Sequence, residues 1–126
     1  MNGKGLNREI VGGWLSEMEG VVFIEYAAEL GIDSAALATI LLVRELNHDR
    51  LGHLPDRLGD SLVRKERRVT ARAKHIGFKE RFAKHAAKYA LSSDAAAAVV
   101  FRAELREKWL GKCIGSNGNQ VDSYPQ

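Results

Sequence analysis

The chain contains 126 residues, of which 45% are hydrophobic, so it fits one small globular domain and is not an intrinsically disordered segment. No apolar run approaches the roughly 20 residues that span a bilayer, and no secretory signal follows the basic N-terminal residues. The single cysteine, Cys113, excludes an intrachain disulfide. We therefore expect a cytoplasmic protein.

Charge is distributed unevenly along the chain, although its net value is only +3. Residues 1–59 carry 5 Lys and Arg against 9 Asp and Glu, whereas residues 60–126 carry 14 against 7. A basic half indicates a polyanionic partner, most often nucleic acid. The alternative is that the two halves attract each other.

The first predicted element is a strand over residues 9–14. Gly12 lowers its β-propensity, and residues 8–18 also fit a helix. Ser16 and Glu19 then have the spacing of a capping box, which begins a helix. We favour the strand because a similar one occurs later in the chain.

A turn and a second helix follow. Gly31 suits a left-handed C-terminal cap for the first helix, and Asp33 or Ser34 can cap the next one. The second helix extends to about Asn47. Because residues 35–43 are almost entirely apolar, we expect that helix to be buried.

Residues 48–67 form a linker, in which Pro55 can start a short helix. A strand over 68–73 follows, with basic and polar side chains on one face and apolar side chains on the other. Two further helices are predicted, the first to about Ala90 and the second, capped by Ser92 or Ser93, to residues 109–110.

These elements constitute an internal repeat. Residues 23–46 align without a gap with residues 82–105, at an offset of 59 positions. Eight aligned pairs are identical: Phe23/Phe82, Ala27/Ala86, Ala28/Ala87, Ser34/Ser93, Ala36/Ala95, Ala38/Ala97, Glu45/Glu104 and Leu46/Leu105. The same offset places the strand over 68–73 opposite residues 9–14.

A strand followed by two helices cannot enclose a core or satisfy the backbone of its strand alone. Two such units solve both problems if their strands pair antiparallel above four interlocked helices. We therefore predict a mainly α fold with one two-stranded antiparallel ribbon. Residues 1–126 form a single domain: repeat one over about 8–47, linker 48–67, repeat two 68–110 and a mobile tail 111–126.

The pattern of a short basic strand, a helix, a tight turn and a buried helix resembles the ribbon-helix-helix family of DNA-binding proteins. Members of that family are usually homodimers, whereas this chain carries both halves and would act as a monomeric pseudo-dimer. A conventional homodimer that uses only the strand over 68–73 is the alternative. The resemblance implies a β-ribbon in the major groove of double-stranded DNA and helix N-termini on its phosphates.

Within the family, the tandem arrangement is similar to a single-chain form encoded on bacterial virulence plasmids. That narrower resemblance implies a bacterial cytoplasmic protein that promotes T-DNA border processing and transfer. It also implies a ParA-type ATPase and a relaxase complex, of the kind used in conjugation, as partners.

The candidate base-reading residues are Arg68, Thr70 and Arg72, because arginine is the commonest reader of guanine and threonine can contact a thymine methyl group. The charges could instead protect an exposed strand edge. The candidate phosphate contacts lie at helix N-termini and around the basic strand: Ser34, Ser93, Arg64, Lys65, Arg67, Lys74 and Lys79.

The first strand lacks the same side chains. In strict register it offers Glu9, Val11 and Gly13, and shifted by one it offers Arg8, Ile10 and Gly12. The ribbon should therefore be asymmetric. Asp94 would repel a phosphate at the second helix of repeat two unless it turns away.

Other site types are not favoured. His48 and His53 lack a third metal ligand nearby, and no nucleophile motif, P-loop or dinucleotide fingerprint occurs, so we expect no enzyme, metal or cofactor. The aromatic residues Trp14 and Trp109 are assigned to the core. The rival function is a helical protein-interaction module of the antitoxin or adaptor type, whose basic half binds an acidic protein.

Overall fold

The computed structural model describes residues 9–54, 64–74 and 76–114. Within these ranges the chain is mostly helical and has one two-stranded antiparallel sheet, as predicted. The elements are β1 (Glu9–Leu15), α1 (Glu17–Glu29), α2 (Ser34–His48), a 3₁₀ turn (Leu51–His53), β2 (Arg67–Ala73), α3 (Phe78–Ala87), α4 (Ser93–Glu107) and a short helix α5 (109–114). The helix predicted to begin at Pro55 lies outside the described residues.

Among the described helices, none is by itself long and apolar enough to cross a membrane. Only α1 and α2 taken together reach that length and composition, and they are bent by 92° at the break between them.

The strand assignment of the first segment is confirmed, and local capping explains where the first helices begin. The Ser16 hydroxyl accepts a hydrogen bond from the Glu19 amide at 3.1 Å, and the Glu19 carboxylate accepts one from the Ser16 amide at 2.9 Å. This is the predicted capping box. Gly31 follows α1 with φ of 81°, and Asp33 then caps α2 by accepting from the Ala36 amide at 2.7 Å.

The second half differs from its prediction at the helix ends. α3 ends at Ala87, three residues early, and Ala90 takes the left-handed conformation that Gly31 takes in the first half. α4 ends at Glu107 because Lys108 is left-handed, with φ of 53°. The first residues of the expected mobile tail, 111–114, belong to α5.

The two strands pair antiparallel over seven residues each, from Glu9 opposite Ala73 to Leu15 opposite Arg67. Their inner face buries Val11 and Leu15 of β1 against the helices, together with three residues of β2, namely Val69, Ala71 and Ala73. Opposite residues share a face of the sheet, so the outer face pairs Ile10 with Arg72, Gly12 with Thr70, and Trp14 with Arg68.

The helices cross over beneath this ribbon. We call β1, α1 and α2 copy one and β2, α3 and α4 copy two. α2 of copy one packs on β2 of copy two, and α4 of copy two packs on β1 of copy one. The α4–β1 contact is close: a Cβ atom on Gly13 would lie 2.6 Å from the Ala98 amide nitrogen. Each copy therefore completes the core of the other.

Two buried glutamates connect the copies in equivalent ways. Glu45 and Glu104 are 59 positions apart and only 3% and 2% exposed. Each accepts a hydrogen bond from the backbone amide six residues later, at 2.9 and 2.8 Å. Glu45 also contacts His85 Nε2 at 2.7 Å, and Glu104 accepts from the Tyr26 hydroxyl at 2.5 Å. His85 and Tyr26 are themselves 59 positions apart, so the two networks are related by exchange of the copies.

Candidate nucleic-acid interface

The outer face of the ribbon carries the three predicted base-reading residues. Arg68 and Arg72 are exposed and Thr70 is half-buried between them. They are held in this orientation because the apolar residues at alternate positions of β2 fill the core beneath. The structure thus brings together two guanidinium groups and one hydroxyl on a single surface.

Arg68 does not extend freely from the strand. Its guanidinium lies over Gly12, where a Cβ atom would come within 2.6 Å of its Nε. Its NH2 group is 3.9 Å from the Asp94 carboxylate in the first turn of α4. Both groups of this ion pair remain about half exposed, so water screens the attraction and the side chain can move.

Arg72 occupies the corresponding place beside the other second helix. It lines an open groove with residues of the first turn of α2, among them Asp33 and Ala36. Its backbone amide donates to the Thr39 hydroxyl at 2.9 Å, which fixes the unpaired edge of β2 against α2. Each of the two arginines therefore lies next to the N-terminus of a different second helix.

The two serines predicted to contact phosphates lie at the N-termini of α2 and α4, one position after the N-cap residue. Asp33 and Ser92 are the N-cap residues, whereas Ser34 and Ser93 are the first residues of α2 and α4. The acidic Asp33 is already bound to the Ala36 amide, which weakens the attraction of α2 for a phosphate. Asp94, in the first turn of α4, lies 3.9 Å from Arg68, and the phosphate contact near Ser93 stays a prediction.

The basic residues next to β2 that were predicted to contact phosphates differ in whether they pair with an acidic residue. Arg64 is 83% exposed and 3.3 Å from Glu66, while the side chains of Lys65, Lys74 and Lys79 are exposed. The Lys79 amide donates to the Glu9 carboxylate at 3.0 Å, which joins α3 to the start of β1.

Arg67 is held away from the outer face. It lies opposite Leu15, on the core side of the ribbon, and pairs with Glu17 at 2.6 Å. This hydrogen-bonded ion pair lowers the pKa of the Glu17 carboxyl. The Arg67 side chain also contacts Gly20 of α1. A phosphate contact by Arg67 would have to break these interactions.

Copy one contributes Ile10, Gly12 and Trp14 to the outer face, so the strict-register set of Glu9, Val11 and Gly13 is wrong. The cause is the spacing between strand and helix, because β1 and β2 begin 58 positions apart, at Glu9 and Arg67, whereas the helices are related by an offset of 59. The difference of one residue exchanges the faces of a strand. Arg8, the other member of the shifted set, lies outside the described residues.

Trp14, expected in the core, therefore lies half-buried beside Arg68 on the outer face. Its backbone carbonyl accepts a hydrogen bond from Arg102 at 3.1 Å. Trp109 is also only half-buried, with the Arg44 guanidinium 3.8 Å above its ring. The indole of Trp14 therefore adds an apolar ring to the outer face of the ribbon, which the sequence did not indicate.

Sequence reasoning also missed a cluster of possible metal ligands that tertiary packing assembles. Glu45, Asp49 and His85 each have a ligand atom within 4.8 Å of the others. Protein donors already occupy the carboxylates, because Leu51 donates to Glu45 at 2.9 Å and Tyr89 donates to Asp49 at 2.5 Å. At the equivalent position in copy two, Glu104 contacts Tyr26 where Glu45 contacts His85. The hydrogen bonds that join the two copies therefore explain why these residues lie together, without a metal ion.

Comparisons of the chain with protein-family models, with curated proteins and with solved structures found no match.

Proposed function

We propose that the chain binds double-stranded DNA as a single-chain ribbon-helix-helix domain, a pseudo-dimer made of copy one and copy two. The observation that carries this proposal is the outer face of the ribbon, where Arg68 and Arg72 flank Thr70 and each arginine adjoins the N-terminus of a second helix. A two-stranded ribbon fits the major groove of B-DNA, which is about 12 Å wide.

In this mechanism Arg68 and Arg72 donate paired hydrogen bonds to guanine O6 and N7. Arg68 exchanges Asp94 for the base, and the exposure of both groups keeps the cost of that exchange low. Thr70 donates to a base edge or contacts a thymine methyl group.

Phosphates on either side of the groove are held by amides at the starts of α2 and α4, near Ser34 and Ser93. The exposed cations around β2 and α3 add further phosphate contacts that carry no sequence information: Arg64, Lys65, Lys74 and Lys79. Arg67 takes part only if Glu17 releases it.

Base reading is asymmetric, because copy one supplies Ile10, Gly12 and Trp14 where copy two supplies arginine and threonine. A homodimer reads the same half-site twice, whereas this ribbon presents two different strands. The preferred site is therefore not palindromic.

The wider role in T-DNA border processing, with a ParA-type ATPase and a relaxase complex as partners, remains part of this proposal. It rests on the likeness of the tandem arrangement to the single-chain form on virulence plasmids.

A duplex titration tests DNA binding. Affinity should fall steeply as salt rises from about 50 mM to about 200 mM, because phosphate binding releases counterions. Absence of duplex binding at the lower salt concentration would overturn the proposal and favour the rival protein-interaction module. A mass measurement of the free protein under dilute conditions separates the monomeric pseudo-dimer from an obligate homodimer.

Single substitutions then test which face reads DNA. Arg68→Ala or Arg72→Ala should cost about 1–3 kcal/mol at a selected site and relax the sequence preference at one position. Arg64→Ala should weaken all sequences about equally. Arg106→Ala is the charge-matched control, because Arg106 lies at the opposite end of α4 from Asp94. If Arg64 changed the preference and Arg68 did not, the reading face would be misassigned.

A further inference from the structure

The outward face of α1 is apolar and acidic, unlike an ordinary solvated helix face. Four of its large hydrophobic side chains are substantially exposed, Met18 at 74% and Val21, Val22 and Ile24 at 38–41%. All charged residues of α1 are glutamates. Met18, Val21, Val22, Glu25 and Glu29 have the spacing of one continuous helical stripe.

The equivalent face of α3 has the opposite charge. At an offset of 59, Val22 and Glu25 correspond to Arg81 and Lys84 of α3, and Glu29 corresponds to Lys88, the C-cap of α3, whose ammonium lies 3.9 Å from Asp49. All three basic residues are exposed. α3 itself contains one acidic residue, Glu80, which lies 3.4 Å from Lys84. The long stems of these basic side chains can cover apolar surface while their charges stay in water.

Within one molecule α1 and α3 each pack against both α2 and α4, and the stripe residues of both helices are exposed. Their complementary faces are therefore available to other molecules. We propose that α1 of one copy of this chain docks against α3 of a second copy. The stripe of Met18, Val21 and Val22 lies against the stems of Arg81 and Lys84, and Glu25 and Glu29 pair with the basic ends.

Charge disfavours the simpler arrangement in which two α1 helices meet. That symmetric contact would place the glutamates of both helices at one interface without a basic partner, which opposes association. The α1–α3 contact joins different patches of the two molecules, so it is heterologous. It does not require DNA, and its test can be made without DNA, so failure of one proposal leaves the other standing.

Sedimentation of the full chain at about 0.1–1 mM, a range suited to contacts smaller than a standard interface, tests the docking. We expect concentration-dependent association at about 50 mM salt and at least a several-fold weaker association at about 500 mM, because salt screens the ion pairs. A chain that stays monomeric over this range at low salt would overturn the proposal.

Charge reversal identifies the two faces. Glu25→Lys with Glu29→Lys, or Arg81→Glu with Lys84→Glu, should abolish self-association, and an equimolar mixture of the two variants should regain it. Arg106→Glu with Lys112→Glu is the control, because it changes the net charge as much as the α3 variant does but lies outside α1, α3 and the residues assigned to DNA. Circular dichroism verifies that each variant is folded.

The outcomes separate the possible occupants of the α1 face. If the α3 variant associates as the unmodified chain does, α3 is not the partner surface and the proposal is wrong. If Met18→Ser with Val22→Ser leaves association unchanged, the apolar stripe is not in the contact, which also contradicts it. Loss of association in both charge variants together with recovery in their mixture supports α1–α3 docking.

Discussion

Copy one and copy two agree inside the molecule and differ on its surface. Phe23 and Phe82, at equivalent positions, are both fully buried, and Glu45 and Glu104 contact the same kinds of partner, a backbone amide and an aromatic side chain of the other copy. Outside, Ile10 and Trp14 of β1 face the arginines of β2. The shared core needs both copies to bury side chains at equivalent positions, whereas nothing in packing requires the two outer faces to match.

The difference between the two outer faces allows the two copies to have different functions. A protein made of two separate identical chains must present two identical faces, but a single chain can assign base reading to one copy and another task to the other. Under our proposals, β2 reads DNA while α1 contacts a neighbouring molecule. Substitutions at equivalent buried positions should have matching effects on stability, whereas a substitution that affects only one copy should not.

The largest expected loss of stability comes from substituting either of the two equivalent phenylalanines. Phe23→Ala and Phe82→Ala should each lower the free energy of unfolding by about 3–5 kcal/mol, because each leaves a cavity in the shared core. Denaturant unfolding measures both. A loss confined to one of them would show that one copy folds without the other, contrary to the crossed packing of α2 and α4.

The buried glutamates should give a smaller and again similar pair of effects. Glu45→Ala and Glu104→Ala each remove a buried carboxylate that a backbone amide and an aromatic polar group contact, at a cost of about 1–3 kcal/mol for each polar group left unsatisfied. Glu25→Ala, on the exposed face of α1, is the control and should change stability by no more than about 0.5 kcal/mol. Equal losses would confirm that the two networks are equivalent.

The smallest effect concerns an interaction that only copy one has. Burial alone would raise the pKa of Glu19, but hydrogen bonds from Ser16 and Arg102 outweigh it, and the pKa lies below its ordinary value of 4.5. A carboxyl with a lowered folded-state pKa stabilises the protein above pH 4.5, and this contribution is lost as the pH falls through the folded-state value.

Glu19→Gln should therefore reduce stability at pH 7 by about 1 kcal/mol, since the Glu19 carboxylate is 30% exposed although Arg102 is buried, and the difference should shrink as the pH falls below 4.5. Thermal unfolding at several pH values measures it, with Glu25→Gln as control. A difference that persisted at low pH would assign the effect to lost packing rather than to the ion pair with Arg102.

Features decided by neighbouring residues could be predicted. The capping box of Ser16 and Glu19 and the left-handed Gly31 depend only on a few adjacent positions, and both were found where their spacing indicated. The alternation of β2 likewise determined which of its side chains face the core. The repeat gave β1 its partner strand even though Gly12 and Gly13 make that strand weak by local propensity.

What required the tertiary structure were relations between segments distant in the chain. The offset of 59 holds for the helices, but the strands are related by an offset of 58, which places Ile10, Gly12 and Trp14 on the outer face. The pairs Glu45–His85, Glu104–Tyr26 and Arg67–Glu17 join residues 40 to 78 positions apart. Local sequence specifies caps and alternation, whereas strand register and buried polar pairs are chosen by the packing of the whole core, because a one-residue slip would expose its apolar side chains.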